Sequence, residues 1–181
     1  MIIVGIGANL PHPTFGTPRR TCGAALEIIS QGPLRVVARS SWYASAPVIR
    51  DGSPPPADQP WYINGAFTVE TGMDAAAVLA ELLEVERQFG RERSVPDAPR
   101  TLDLDILAFH DDVIDTQDLT IPHPRLHERA FALLPMADVA PDWRHPVTGQ
   151  AISALLTDLG DEQGIERQAD AAGFMGTEWN A

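Results

Sequence analysis

Lysine is absent: all 13 basic residues of the chain are arginines, against 25 acidic ones. The formal charge of -12 would repel a polyphosphate backbone over most of the surface, which argues against a nucleic-acid partner. It also means that any phosphate held here is held by guanidinium, a planar fork that grips oxygens in pairs. Cysteine is nearly as scarce. The lone Cys22 excludes an internal disulfide and a cysteine-based metal site, and its neighbours Ala25, Leu26 and Ile29 place it in a core helix. No apolar run approaches the ~20 residues of a membrane span. The apolar opening from Met1 to Gly7 lacks a basic leader and is broken by Asn9 and Pro11, so a secretory signal is not expected and the cytoplasm is. Also missing are the third glycine of a dinucleotide fingerprint after Gly5-Ile6-Gly7, a Walker A loop and a nucleophile elbow.

What remains is an ordinary globular composition, 44% hydrophobic and 21% charged in 181 residues, enough for one domain with a sizeable core. That domain is expected over residues 1–160, and residues 161–181 form a tail without a readable pattern. Ile2 to Gly7 reads as a buried strand. Thr17-Pro18 reads as an N-cap with proline at N1, opening a helix that carries Cys22, Leu26 and Ile29 until Gly32-Pro33. Strands are predicted over Val36 to Tyr43 and Trp61 to Glu70, the latter with Trp61, Ile63, Phe67 and Val69 on one face. The breaker-rich stretch 48–58 between them predicts a loop. Asp74 caps a second helix with Val78, Leu82, Val85 and Phe89 on one stripe and Gly90 at its end. After a second loop over 91–99, a strand from Thr101 to Phe109 is predicted to turn Leu102, Leu104, Ile106 and Ala108 to the core. A short hairpin region, a proline-flanked turn at His123 and helices near 129–138 and 152–159 complete the chain. The order β-α-β-β-α-β with short connections predicts an α+β sandwich, helices packed on a mostly antiparallel sheet.

The strongest chemical signal is Arg100-Thr101-Leu102-Asp103-Leu104-Asp105. Carboxylates at i and i+2 of a strand share a face, and two acids so placed repel unless a cation sits between them. Magnesium takes such a pair together with phosphates and water. Glu86, Arg87, Arg91 and Arg93 straddle the preceding helix end, and Arg100 precedes the acids, which sets positive charge beside the candidate metal site. Glu86 stands in a last helical turn, where a carboxylate is disfavoured, so it needs a partner or a task. Tyr62 and Asn64 share a strand face and offer a ring beside an amide, a pair suited to a heterocycle. His123 is held in Ile121-Pro122-His123-Pro124-Arg125, with Arg129 and Phe131 following. Each motif has a plainer reading: an exposed acidic strand face, a solvated helix end, a polar edge strand and a structural histidine.

Taken in order, Gly7-Ala8-Asn9-Leu10, Tyr62-Ile63-Asn64, Gly90-Arg91-Glu92-Arg93, Pro99 to Ile106 and Ile121 to Arg125 resemble the 6-hydroxymethyl-7,8-dihydropterin pyrophosphokinase family, from about residue 2 to about residue 158. The resemblance implies a ferredoxin-like α+β sandwich and transfer of diphosphate from ATP to a pterin hydroxymethyl group, giving AMP, in folate synthesis. It implies two Mg2+ ions on Asp103 and Asp105, and catalytic roles for those acids with Arg91 and Arg100. The pterin would lie between Tyr62 and Phe131 with Asn64 reading its edge and Ser45, Ala46 and Val48 completing the pocket. ATP would meet Glu86, Arg91, Arg93, Arg100, His123 and Arg129. The resemblance further implies small-molecule substrates and a monomer. The chain departs from the family's pattern in two places: residues 94–99 are one shorter than usual and lack a tryptophan, and the loop 48–58 is longer and proline-rich. A pocket that binds pterin or nucleotide without turnover, and a sugar-nucleotide or phosphoester enzyme using the acid pair, stay open as alternatives.

Overall fold

The computed structural model describes residues 1–47, 58–91, 99–160 and 164–180. Its centre is an antiparallel sheet in the order β5-β1-β4-β3-β8: β1 is Ile2–Ala8, β3 Trp42–Ser45, β4 Tyr62–Glu70, β5 Asp103–Phe109 and β8 Ile165–Gln168. A further strand, β2 (Arg35–Arg39), pairs with the far end of β4. A separate two-stranded piece joins β6 (Ile114–Asp115) to β7 (Thr120–Ile121). Helices α1 (Pro18–Gln31) and α2 (Ala75–Gln88) cover one face, and α3 (Ala130–Val139) and α4 (Ile152–Leu159) cover the other. This is the expected α+β architecture. No helix among the described residues is long and apolar enough to cross a membrane.

The helices begin where their caps are. Thr17 accepts from the Arg20 N–H at the start of α1, with Pro18 at the first position, and Asp74 Oδ1 accepts from the Ala77 N–H at 2.8 Å to open α2. Alternation sorts β1 between two cores. Ile2, Val4, Ile6 and Ala8 join α1 and α2, and Ile3 joins α3 and α4.

Three local expectations are corrected. The strand predicted over Val36 to Tyr43 is two strands, because Ser40 turns its hydroxyl to accept the Ala66 N–H at 2.9 Å and breaks the ladder. Trp61 precedes β4 and is 47% exposed, apart from the buried face of Ile63, Phe67 and Val69. Ala108 faces α3 and α4, unlike Leu102, Leu104 and Ile106. The register slips between Ile3↔Ala108 and Val4↔Ile106, and a bulge at Leu107 turns Ala108 to the opposite side of the sheet. The tail, unreadable in sequence, supplies β8 and a one-turn segment whose Phe174, Met175 and Trp179 pack on the α1–α2 core.

Candidate active site

Register builds the site. Across three strands, Asp103 stands opposite Gly7 and Gly7 opposite Asn64, all directed to the face away from Leu102, Leu104 and Ile106. One step further along β4, Tyr62 is opposite Ser45. On the other side of Asp103, Asp105 lies opposite Gly5. Glycine at position 7 keeps this row open, since a Cβ there would stand 3.2 Å from Asn64 Oδ1. The two acids therefore share one face, as the strand spacing requires.

Arginines meet Asp103 from both sides. Arg100 Nη1 donates to Asp103 Oδ2 at 2.9 Å, and Arg91 Nη1 forms an ion pair with Oδ1. The same Arg91 nitrogen binds the Glu86 carboxylate. Glu86 is buried at 2% exposure, and its Oε1 accepts the Leu104 N–H at 2.7 Å, so it ties the last turn of α2 to the free edge of β5. That contact is the partner a carboxylate at a helix end requires. Arg100 also hydrogen-bonds the Tyr62 phenol, whose pKa is raised chiefly by burial and pulled back by this guanidinium. One side chain thus links the acid pair to the ring proposed for the heterocycle.

Asp105 is less well compensated. Burial, then the charge of Asp103, pushes its carboxyl up to about 7, with Arg91 and Arg129 pulling the other way. Asp103 Oδ1 is buried and makes no hydrogen bond despite its ionic contact with Arg91. A crowded, oxygen-only acid pair, one of whose oxygens has an ionic contact but no hydrogen bond, fits a hard dication. Three or more metal-ligating side chains do not converge among the described residues, so such an ion would complete its shell with substrate oxygens and water.

His123 lies just after β7, and its backbone N–H donates to the Leu107 carbonyl at 3.1 Å. Burial first, then Arg129, depresses its pKa to about 4. The ring is neutral at pH 7, and because Nδ1 accepts the Arg125 N–H at 3.2 Å, Nε2 carries the proton and is a donor. Asp103 acts on the His123 pKa and Arg129 on that of Asp105, which places these four groups in one electrostatic neighbourhood. A cavity of about 800 Å3 borders His123 beside β6, β7 and α4, and the acid pair is not part of its lining.

On the Tyr62 side, Asn64 Nδ2 donates to Ser45 Oγ at 2.9 Å. Ala46 continues from Ser45. Phe131 lies in the first turn of α3, with the Arg129 guanidinium 5.5 Å from its ring centroid. Val48 and Arg93 lie outside the described residues, as does most of each loop that departs from the family's pattern. Sequence reasoning missed Asn9 as a positioning group. Its Oδ1 accepts the Arg100 N–H at 2.8 Å, its own N–H donates back to the Arg100 carbonyl at 3.1 Å, and its Nδ2 donates to the Pro60 carbonyl at 3.2 Å. The available signal was an amide directly after a strand ending in Gly7-Ala8.

Residues 3–141 match the profile of the 7,8-dihydro-6-hydroxymethylpterin-pyrophosphokinase family. A 2-amino-4-hydroxy-6-hydroxymethyldihydropteridine pyrophosphokinase of Pseudomonas aeruginosa is 39% identical over 167 residues, covering 92% of this chain and 95% of that protein. The protein of the same name from Synechocystis is 38% identical over 154 residues, covering 85% and 73%. Among solved structures, the HPPK-DHPS of Plasmodium falciparum, crystallised with pterin and p-hydroxybenzoate, superposes with a TM-score of 0.68 at 14% identity, covering 92% of this chain and 46% of that one, a likeness of fold. With 139 consecutive residues matched and relatives this similar over most of its length, the chain belongs to the 7,8-dihydro-6-hydroxymethylpterin-pyrophosphokinase family.

Proposed function

We propose that the face carrying Asp103, Asp105, Arg91 and Arg100 is where this pyrophosphokinase moves diphosphate from ATP to the hydroxymethyl group of 6-hydroxymethyl-7,8-dihydropterin, releasing AMP in folate synthesis. The observation that carries the reading is Arg100, which holds Asp103 at 2.9 Å and hydrogen-bonds Tyr62, joining the phosphate and pterin halves through one guanidinium.

In this reading the pterin ring lies between Tyr62 and Phe131. Asn64 pairs with its donor and acceptor edge, its amide oriented by Ser45 Oγ, and Ala46 and Val48 close the pocket. The hydroxymethyl oxygen attacks the β-phosphorus in line with the departing AMP oxygen, the bond from that oxygen to the β-phosphorus breaks, and the hydroxyl proton passes to water. Arg91 and Arg100 face the phosphate oxygens on which negative charge builds, Glu86 and Asn9 hold those arginines in place, and Arg93 and Arg129 add positive charge. His123, neutral at pH 7, donates from Nε2 to a phosphate oxygen. Two Mg2+ ions belong on Asp103 and Asp105. Bound there, magnesium supplies charge neutralisation at the phosphate oxygens and a template for their approach. Most of the rate then comes from placement, since phosphoryl transfer asks little covalent chemistry of the protein. The same reading has the chain act as a cytoplasmic monomer on two small substrates.

The test is an assay of AMP release from Mg-ATP with and without hydroxymethyl-dihydropterin. AMP is expected only when both are present, and Asp103→Ala should remove it while circular dichroism stays unchanged. Full activity in Asp103→Ala would defeat the assignment. Tight binding of both substrates without AMP would favour a non-catalytic binder.

A further inference from the structure

The chain after residue 164 returns to the domain twice: β8 extends the sheet beside β3, and the turn after it lies across α1. The crossing is close. A Cβ added at Gly23 would stand 2.0 Å from Thr177 Oγ1 and 2.7 Å from Trp179 Cβ, so the helix needs glycine where the tail passes. Arg19 fastens the tail by donating to the Gly176 carbonyl at 2.7 Å, and Glu27 Oε2 accepts from Trp179 Nε1 at 2.6 Å and Asn180 Nδ2 at 2.9 Å.

From Trp179 a file of rings runs toward the site. Its indole meets Phe15 edge-on at 5.5 Å, and Phe15 stacks on Phe89 at 4.5 Å. Phe89 is fully buried at the C-cap of α2, and its carbonyl accepts the Thr101 hydroxyl at 2.7 Å. Glu86 lies three residues before it, and Arg91, whose N–H donates to the Glu86 carbonyl at 3.1 Å, two residues after. Close-packed aromatic side chains transmit displacement because there is no slack to absorb it.

We infer that Trp179 is a positioning residue for the phosphate side of the site: through Phe15 and Phe89 it fixes the last turn of α2, and with it Arg91. The inference rests on the assignment of Arg91 and Glu86 to ATP. The pterin side is further removed: Tyr62 and Asn64 are held on β4 between β1 and β3, and Tyr62 is joined to this file through Arg100, the neighbour of Thr101.

Steady-state kinetics of the full chain separate the two sides. Trp179→Ala is expected to raise KM for ATP about tenfold and leave KM for the pterin within about twofold. Trp179→Phe, which keeps a ring against Phe15, should bring the ATP value back to within about twofold of the unaltered chain. Gly23→Ala, which pushes the tail from α1 without removing any ring, should repeat the Trp179→Ala pattern. Unaltered KM values in Trp179→Ala overturn the inference, and so does an equal rise in both, the mark of general loosening. If Trp179→Ala does not fold by circular dichroism, Gly23→Ala and Glu27→Gln decide by the same criteria. Absence of AMP from the unaltered chain would defeat the site assignment instead, a result distinct from either.

Discussion

The two faces of β1 differ in what they carry. Toward α1 and α2 it presents Ile2, Val4, Ile6 and Ala8, all buried. Toward the site it presents Ile3 and then two glycines, Gly5 and Gly7, opposite Asp105 and Asp103. One face is filled and supplies cohesion. The other is packed at Ile3 against the α3–α4 core and then narrows over its glycines, where a Cβ at Gly5 would stand 3.3 Å from Leu107 and one at Gly7 3.2 Å from Asn64 Oδ1, so the acids and arginines lie close to the backbone. One side of these seven residues is thus packed along its whole length, and the other is packed at Ile3 and lined by the acid pair at its glycines.

That division can be broken from either side. The largest effect is expected on the filled face. Phe67→Ala removes a fully buried ring and should cost about 3–5 kcal/mol in urea unfolding, while the KM values of whatever protein stays folded change little. On the glycine face, Gly7→Val crowds Asn64 Oδ1 and the approach to Asp103. It should lower kcat/KM about 100-fold, equivalent to about 2.7 kcal/mol, with a smaller change in unfolding free energy. An unfolding loss as large as that of Phe67→Ala would blur the comparison.

Asp105→Asn sharpens it by pH. The native carboxyl keeps its proton up to about 7, whereas an unfolded aspartate loses it near the ordinary 3.8. Between those values the native state binds more protons than the unfolded one. The stability contribution of Asp105 therefore falls as pH rises through that window and is level above it. Metal-free Asp105→Asn should match the parent near pH 4 and exceed it above pH 7 by on the order of a few kcal/mol, while losing AMP formation. Thermal midpoints measured across pH check this.

Much of this division was legible in sequence because it rests on local rules. Period-two spacing put both acids on one face, and Thr17-Pro18 and Asp74 marked their helix starts. What escaped depends on partners distant in the chain. The break at Ser40 is made by the Ala66 N–H, and the turn of Ala108 to the second core is made by a register slip against Ile3. The tail carries no amphipathic period because its one strand is four residues long and the rest is shaped by the groove over Gly23. Asn9 was visible as a residue, but its task appears only when Arg100 and Pro60 meet it.

We propose that Asp103 and Asp105 hold divalent metal where the arginines meet ATP. Mn2+ binding, measured by electron paramagnetic resonance with a non-hydrolysable ATP analogue present, reads that site without turnover. The unaltered chain should bind Mn2+ beyond what the free nucleotide carries, and the Asp103→Asn, Asp105→Asn double variant should lose that excess while still folding. The same stoichiometry and affinity in both proteins would contradict it.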